Sequence, residues 1–152
     1  MNQVSIIGAG TMGNGIAQSF ALNGFQVFLI DIQEENLSNA EKTISENLER
    51  MIKKEIINQQ HKENTLSKIR FQTNMNEDVK NSDLVIEAVT ESENIKLEIF
   101  KKLDTLCDKK TILATNTSSI SIKKIANVTK RPEKVIGMHF MNPVPLMKLV
   151  EI

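Results

Sequence analysis

Two residues near the end of the printed sequence, His139 and Glu151, have side chains suited to acid–base chemistry. A neutral histidine accepts a proton near pH 7, and a carboxylate on its far ring nitrogen fixes the tautomer and stabilises the imidazolium. Glu151 follows His139 by twelve residues, and the intervening "NPVP" segment, residues 142–145, favours a chain reversal. The sequence therefore predicts contact between the two side chains. A lone histidine at a strand end is more often structural, and that alternative stays open.

A second group with chemical potential lies near the start, in "SIIGAGTMGNGIA". Gly8, Gly10 and Gly13 form the pattern G-x-G-x-x-G between an apolar run and a helix-forming run. In a dinucleotide-binding turn the three glycines permit the tight turn, the close approach of a pyrophosphate and close helix–strand packing. The first amides of the following helix then face the pyrophosphate charge. The predicted cofactor site also includes the intervening residues Ala9, Thr11 and Met12.

The second apolar run ends in Asp31, eighteen residues past Gly13. A carboxylate at this place can accept hydrogen bonds from the adenosine ribose hydroxyls, whereas it would repel a 2′-phosphate. NAD is therefore predicted in preference to NADP. The alternative is a flexible turn followed by an ordinary surface aspartate.

These groups must be positioned by alternating strands and helices. Apolar runs predict strands over residues 4–7, 26–30, 70–72, 84–88, 111–115 and 134–140. Apolar residues at three- and four-residue steps predict a long helix over 34–57, and a shorter helical segment lies near Leu66. The expected fold is α/β, a doubly wound and mostly parallel Rossmann-type sheet with a helical excursion after the second strand. All 152 residues are expected to form one domain.

The loops after parallel strands open at one edge of the sheet, where ligands bind. Residues placed there by the predicted strands are Glu87, Glu91, Lys96, Asn116, Thr117, Ser118, Ser119, His139 and Asn142. A histidine, a serine and asparagines are thus predicted to converge where a nicotinamide would lie. Simpler interpretations remain for some of them. Ser118 or Ser119 could cap a helix that begins near Ile122, and Glu87 could project into solvent.

Composition narrows the class of protein. The net charge is zero, which favours neither nucleic acid nor an anionic membrane as a partner. Cys107 is the only cysteine, and the two histidines lack metal-ligand spacing, so no metal site is predicted. The sequence starts without a basic leader and has no apolar run of transmembrane length, so a cytoplasmic protein is expected.

Three segments, "GAGTMGNGIA", "NTSS" and "HFMNPVPLMKLVE", resemble the 3-hydroxyacyl-CoA dehydrogenase family, which includes 3-hydroxybutyryl-CoA dehydrogenases. In that family an NAD-binding domain is followed by an all-helical domain that forms the homodimer. The sequence is similar only to the first, so residues 1–152 are expected to be the NAD-binding domain without its helical partner. The resemblance implies a role in fatty acid or butyrate metabolism.

The resemblance also implies roles for individual residues. His139 would be the catalytic base, Glu151 its orienting partner, Ser118 a contact to substrate and cofactor, and Asn142 a neighbour of the nicotinamide. Glu91 and Lys96 match positions that contact NAD. Lys54 matches a lysine that binds the phosphates of CoA; the alternative is an ordinary solvated residue on a helix. Asn47 stands where some relatives have a serine near CoA.

The expected activity is the NAD-dependent interconversion of (S)-3-hydroxyacyl-CoA and 3-oxoacyl-CoA. Because the acyl-CoA cleft would be shared with the helical domain, the 152-residue chain alone is expected to be nearly inactive. Two other functions remain open at this point: a related dehydrogenase of free sugar or hydroxy acids, and a non-catalytic NAD-binding module.

Overall fold

A computed structural model describes all residues from 1 to 152 and places six parallel strands in one sheet. The strands are β1 (Gln3–Ile7), β2 (Gln26–Ile30), β3 (Ile69–Gln72), β4 (Leu84–Glu87), β5 (Ile112–Thr115) and β6 (Val135–Gly137). Their spatial order is β3-β2-β1-β4-β5-β6, and every neighbouring pair is parallel. This order reverses between β1 and β4, which is the switch point of a doubly wound sheet. The predicted fold class is confirmed.

Helices cover both faces of the sheet. They are α1 (Thr11–Leu22), α2 (Glu34–Lys53), α3 (Gln59–Ser67), α4 (Glu77–Lys80), α5 (Glu93–Leu106) and α6 (Ile122–Ala126), with a 3₁₀ turn at Pro132–Lys134. Alternate residues of the central strands enter two separate cores: Ile6 and Ile86 pack on the α1 and α2 side, and Ile7 and Val85 on the α5 side. None of these helices has the combination of length and apolarity that a membrane crossing requires.

The predicted excursion after the second strand is present as the two helices α2 and α3, and the shorter predicted segment near Leu66 is confirmed as α3. The prediction of a helix to residue 57 is wrong, because α2 ends at Lys53 and Glu55 adopts a φ of 56°. The chain then re-enters a helix at α3, where the side chain of Asn58 accepts a hydrogen bond from the amide of His61. No glycine marks this left-handed residue, so the sequence pattern did not reveal the stop.

The predicted sixth strand, 134–140, is also wrong as a single element. Only β6 belongs to the sheet; His139–Phe140 forms β7, which pairs antiparallel with β8 (Val150–Glu151). The amide of Met138 still donates to the carbonyl of Thr115 at 2.9 Å. The amide of Phe140 instead donates to the side chain of Asn116 at 2.9 Å. A side chain thus replaces the backbone partner, and the chain leaves the sheet at this point.

Candidate active site

The glycine turn is packed on one side and open on the other. Gly8 has a φ of +104°, and a Cβ there would lie 2.7 Å from the carbonyl oxygen of Ala88. A Cβ on Gly13 would lie 1.7 Å from the carbonyl oxygen of Gly8, so α1 packs directly on the turn. Gly10, the N-cap of α1, has no atom near its Cβ position and no side-chain cap. The open backbone and the free first-turn amides fit a pyrophosphate.

Asp31, at the end of β2, is fixed by three hydrogen bonds. Its Oδ2 accepts from the amide of Ala9 at 2.9 Å, and its Oδ1 accepts from the amide of Gln33 at 3.0 Å and from the Asn36 side chain at 3.1 Å. The carboxylate therefore ties the second strand to the glycine turn. It is held in place beside that turn, unlike an ordinary surface aspartate, and a ribose bound next to the turn would lie within its reach.

A cleft of about 300 Å³ opens at the carboxyl edge of the sheet. It brings together seven residues of the predicted site that come from four separate segments of the chain. Its lining consists of Met12, Ala88, Val89, Glu91, Lys96, Asn116, Ser118, His139, Phe140, Met141 and Asn142. The cleft therefore extends from Met12 of the glycine turn to His139 in the hairpin formed by β7 and β8. Its volume lies within the range of small-ligand sites.

The His139 and Glu151 side chains are in contact, as predicted from the "NPVP" reversal. The two residues are register partners in the β7–β8 ladder, and Nδ1 of His139 lies 2.9 Å from Oε2 of Glu151. Because an ionised carboxylate only accepts hydrogen bonds, this contact places a proton on Nδ1. Nε2 is then the ring nitrogen that can accept a proton. The imidazole is 30% exposed and Glu151 61% exposed, so both remain accessible to a ligand.

The turn between these strands rests on α1. Val144 is buried, and a Cβ added to Gly15 would lie 2.9 Å from the Cβ of Val144. The ring of Phe140 meets that of Phe20 edge-on, with centroids 6.3 Å apart. Gly15 therefore lets the hairpin approach the same helix whose N-terminus forms the glycine turn. Sequence reasoning assigned no role to this fourth glycine, which lies outside the G-x-G-x-x-G pattern.

Ser118 lies in a loop held by its neighbours. Glu91 accepts hydrogen bonds from the hydroxyl of Thr117 and, at 2.9 Å, from that of Ser119. The helix-capping alternative for Ser118 and Ser119 is wrong, since the cap of α6 is Ser121, whose side chain accepts from the amide of Lys124. The exposed Ser118 hydroxyl is therefore free to meet a ligand.

The electrostatics of Glu91 reflect this setting. Burial alone would raise its pKa, but hydrogen bonds from Thr117 and Ser119 and the nearby Lys96 ammonium outweigh it and lower the pKa to about 2. Oε2 of Glu91 lies 3.3 Å from Nζ of Lys96, which is almost fully buried. Glu91 is consequently ionised at neutral pH and presents a fixed negative charge beside the cleft.

The alternative in which Glu87 projects into solvent is wrong. Its side chain has no exposed surface, and its Oε1 accepts from Nζ of Lys96 at 2.7 Å. A glutamate at the end of an apolar strand resembles a solvated residue in sequence, because the lysine that neutralises it comes from the next helix. The sequence placed Glu87 at the sheet edge but did not predict its buried pair with Lys96.

A second cleft, of about 310 Å³, lies on the other side of the hairpin turn. Asn47 and Lys54 both line it, together with Gln18, Arg50, Met51, Ile56, Pro143, Pro145 and Leu146. The Asn47 side chain is anchored, donating to Oε1 of Gln18 at 3.0 Å and accepting from Arg50 at 3.0 Å. Lys54 is exposed at the C-terminus of α2. The two residues predicted to meet CoA thus share one cleft.

Comparison with known proteins agrees with this geometry. Residues 3–152 match the model of the 3-hydroxyacyl-CoA dehydrogenase NAD binding domain. A 3-hydroxybutyryl-CoA dehydrogenase of Clostridioides difficile is 49% identical over 99% of this chain and 53% of its own length. The mitochondrial hydroxyacyl-coenzyme A dehydrogenase of Homo sapiens is 43% identical over 100% of this chain and 50% of its own.

The fold agrees as well. The crystal structure of (S)-3-hydroxybutyryl-CoA dehydrogenase from Ralstonia eutropha superposes with a TM-score of 0.95 and 45% identity, covering 99% of this chain and 53% of the other. The chain thus spans about half the length of the relatives that it matches. With its doubly wound sheet, open glycine turn and matching sequence, the chain belongs to the 3-hydroxyacyl-CoA dehydrogenase family as an NAD-binding domain.

Proposed function

We propose that this chain is the cofactor-binding part of an enzyme that interconverts (S)-3-hydroxyacyl-CoA and 3-oxoacyl-CoA. The observation that carries the proposal is the His139–Glu151 pair at 2.9 Å, since its histidine lines the same cleft as Ser118 and Met12 of the glycine turn. A non-catalytic module would not need a paired histidine beside the cofactor. The pair therefore favours an enzyme over a module that only binds NAD.

The residues divide the chemistry between them. Nε2 of His139 takes the proton of the substrate hydroxyl, and Glu151 stabilises the imidazolium that forms. Bound NAD would supply the acceptor for the hydride, which leaves the carbon that bears this hydroxyl. The Ser118 hydroxyl and the Asn142 amide are placed to orient substrate and nicotinamide. In the reverse direction His139 returns the proton as hydride is delivered to the ketone.

The cofactor would be held along the sheet edge. The turn formed by Gly8, Ala9, Gly10, Thr11, Met12 and Gly13 would hold the pyrophosphate, and Asp31 the adenosine ribose. Glu91, Lys96, Ser118 and Asn142 line the cleft at the nicotinamide end. The names of the relatives support an acyl-CoA substrate, for which Lys54 and Asn47 in the second cleft would meet the CoA phosphates.

We infer that a helical domain completes the site and forms a homodimer in the whole protein. Apolar side chains stay exposed in the second cleft and in the residues after it: Ile56 and Leu146, which line the cleft, are 61% and 72% exposed, and Leu149 and Ile152 are 54% and 79% exposed. Exposed apolar surface of this kind is typical of an interface. Because positioning of substrate can supply ~7–11 kcal/mol of a barrier, the chain alone should turn over very slowly.

The test is turnover of acetoacetyl-CoA with NADH. The 152-residue chain would be compared with the same chain joined to the remaining half of the Clostridioides difficile relative. We expect NADH binding by both and rapid turnover only by the joined protein. Turnover of free 3-hydroxy acids without CoA would instead indicate the related dehydrogenase. A joined protein that binds NADH without any turnover would indicate a module without catalysis.

A further inference from the structure

We propose that Glu87 is a positioning residue for the nicotinamide end of the cofactor site, acting through Lys96 and Glu91. The inference rests on the proposed function, since it takes the cleft at the sheet edge as the place where NAD binds. Glu87 does not line that cleft and has no exposed surface. It therefore cannot touch a ligand, and any effect on binding must pass through the residues that it holds.

Glu87 lies at the switch point of the sheet. It is the last residue of β4, opposite Ile7 of β1 on one side and Thr115 of β5 on the other. The loops that leave these three strands are the glycine turn, the loop to α5 and the loop that carries Ser118. A side chain fixed at this point can set the position of one loop relative to another.

Three different segments donate hydrogen bonds to its carboxylate. Oε1 accepts from the amide of Val89 at 2.8 Å and from Nζ of Lys96 at 2.7 Å. Oε2 accepts from the hydroxyl of Thr115 at 2.7 Å. Three donors in a dry environment leave the carboxylate one dominant orientation, because any rotation would leave a buried polar group unpaired.

Lys96 transmits this order to the cleft. Its ammonium meets Glu87 at 2.7 Å, Glu91 at 3.3 Å and the carbonyl of Val89 at 3.4 Å. A lysine side chain is flexible and its ammonium is a compact charge, so its place depends on the groups around it. Glu87 supplies the shorter and drier of its two carboxylate contacts.

From Lys96 the chain of contacts reaches the Ser118 loop. Glu91 pairs with Lys96 and binds the hydroxyls of Thr117 and Ser119, which flank Ser118. Thr115, whose hydroxyl donates to Glu87, also accepts from the amide of Thr117 at 3.3 Å. The loop is thus connected to Glu87 by two routes. One passes through the ion pairs of Lys96 with Glu87 and Glu91, and the other through the hydroxyl of Thr115.

A purely structural role is the competing explanation. Buried ion pairs are often replaceable by well-packed apolar residues without loss of stability, so stability alone does not explain this one. An apolar pair could join β4 to α5, but it would leave no ammonium at the cleft and no cationic partner for Glu91. The geometry is that of a support for charged groups at a ligand site.

The experiment compares two ligands on the 152-residue chain. NADH and ADP-ribose share the adenosine and diphosphate, but ADP-ribose lacks the nicotinamide. For Glu87→Gln we expect the NADH dissociation constant to rise about tenfold or more, the scale of one lost hydrogen bond to a charged group. The dissociation constant for ADP-ribose should change less than about twofold, because none of the hydrogen bonds that the Glu87 carboxylate accepts comes from the glycine turn or from Asp31.

The matched control is Glu93→Gln, which removes the same charge from the exposed pair that Glu93 forms with Lys124 on the protein surface. It should leave both affinities unchanged. In a Lys96→Gln background, Glu87→Gln should add less than about twofold to the loss of NADH affinity, because the two residues act as a unit. Independent, multiplicative losses would overturn the proposed route through Lys96.

Equal losses for NADH and ADP-ribose would overturn the positioning role and indicate a general structural one, and so would unchanged affinity for both. If Glu87→Gln does not fold by circular dichroism, Thr115→Val is decided by the same criterion. It removes the donor to Oε2 and the acceptor of the Thr117 amide, and it leaves the Lys96 contact with Oε1 in place. A selective loss of NADH affinity supports the proposal, and no selective loss overturns it. Failure of the unsubstituted chain to bind NADH would instead contradict the proposed cofactor site itself.

Discussion

His139 and Glu151 face each other across an antiparallel ladder, with Nδ1 and Oε2 2.9 Å apart. Backbone register, rather than a chance encounter of two long side chains, brings them together. The strands that carry them have only two residues each and lie outside the parallel sheet. The contact therefore depends on how the turn between residues 140 and 150 is seated.

This pair leads to the first prediction. In an enzyme completed by a helical domain, His139→Gln should lower kcat by roughly 10²–10⁴-fold, the usual effect of losing a general base. Glu151→Gln should also lower kcat, because an amide can hold the ring but cannot stabilise its positive charge. The NADH dissociation constant should stay nearly constant in both. Steady-state kinetics and NADH titration give the two quantities.

If the two residues act as one unit, the double variant should be little worse than the worse single variant. Strictly multiplicative losses would mean that they work independently. Glu151 would then be a surface residue of β8 whose proximity to the histidine has no catalytic role.

The second prediction separates two glycines of the turn. Gly13→Ala should lower the free energy of unfolding by about 1–3 kcal/mol or more, because the new Cβ would meet the Gly8 carbonyl at 1.7 Å. The free energy of unfolding of Gly10→Ala should lie within about 0.5 kcal/mol of that of the parent, since the Cβ position of Gly10 is open. It should nevertheless bind NADH more weakly, because that methyl group lies where the pyrophosphate would approach. Urea unfolding and NADH titration test both; undiminished binding by Gly10→Ala would contradict the assigned pyrophosphate site.

The third prediction concerns cofactor choice. The parent chain should bind NADH more tightly than NADPH, because a 2′-phosphate next to the Asp31 carboxylate costs up to several kcal/mol. Asp31→Ser should narrow this gap in calorimetric titrations. Asp31 also accepts a hydrogen bond from the amide of Ala9, and Asp31→Ser removes both this acceptor and the charge. Asp31→Asn is the control, because it removes the charge and keeps a side-chain oxygen that can accept the same hydrogen bond. A variant that discriminates as well as the parent would mean that another residue meets the ribose.

The fourth prediction follows from the lowered pKa of Glu91. Its pKa is about 2 in the folded chain and near the ordinary value of 4.5 when unfolded. A depressed folded pKa means that the ionised carboxylate stabilises the fold above pH 4.5, and that this contribution is lost as the pH falls from about 4.5 to about 2. The difference in unfolding free energy between the parent and Glu91→Gln should be constant near neutrality and shrink over that interval. Urea unfolding from pH 7 downwards measures it, and a difference that does not vary with pH would contradict the assignment.

Local sequence patterns predicted most of the sheet, because buried parallel strands appear as continuous apolar runs, such as Leu84–Glu87 with Val85 and Ile86 inside it. The rule that ligands bind at the carboxyl edge likewise predicted which residues would share a cleft. What escaped prediction depends on distant partners. At the break after Gly137 an Asn116 side chain replaces a backbone acceptor, and the buried Glu87 is paired with a lysine of the following helix, α5.

The seating of the hairpin on α1 has a consequence for the populations of folded states. Because β7 and β8 share no ladder with the six-stranded sheet, they can open locally while the sheet stays intact. The fraction of molecules with an assembled His139–Glu151 pair is then set by this local equilibrium, in which the buried Val144 packs against Gly15 of α1 in the closed state. Loosening that contact would reduce the competent fraction, and with it kcat, while the melting temperature of the sheet remained the same. Amide hydrogen exchange would register such opening at Phe140 and Val150 long before it reached β1.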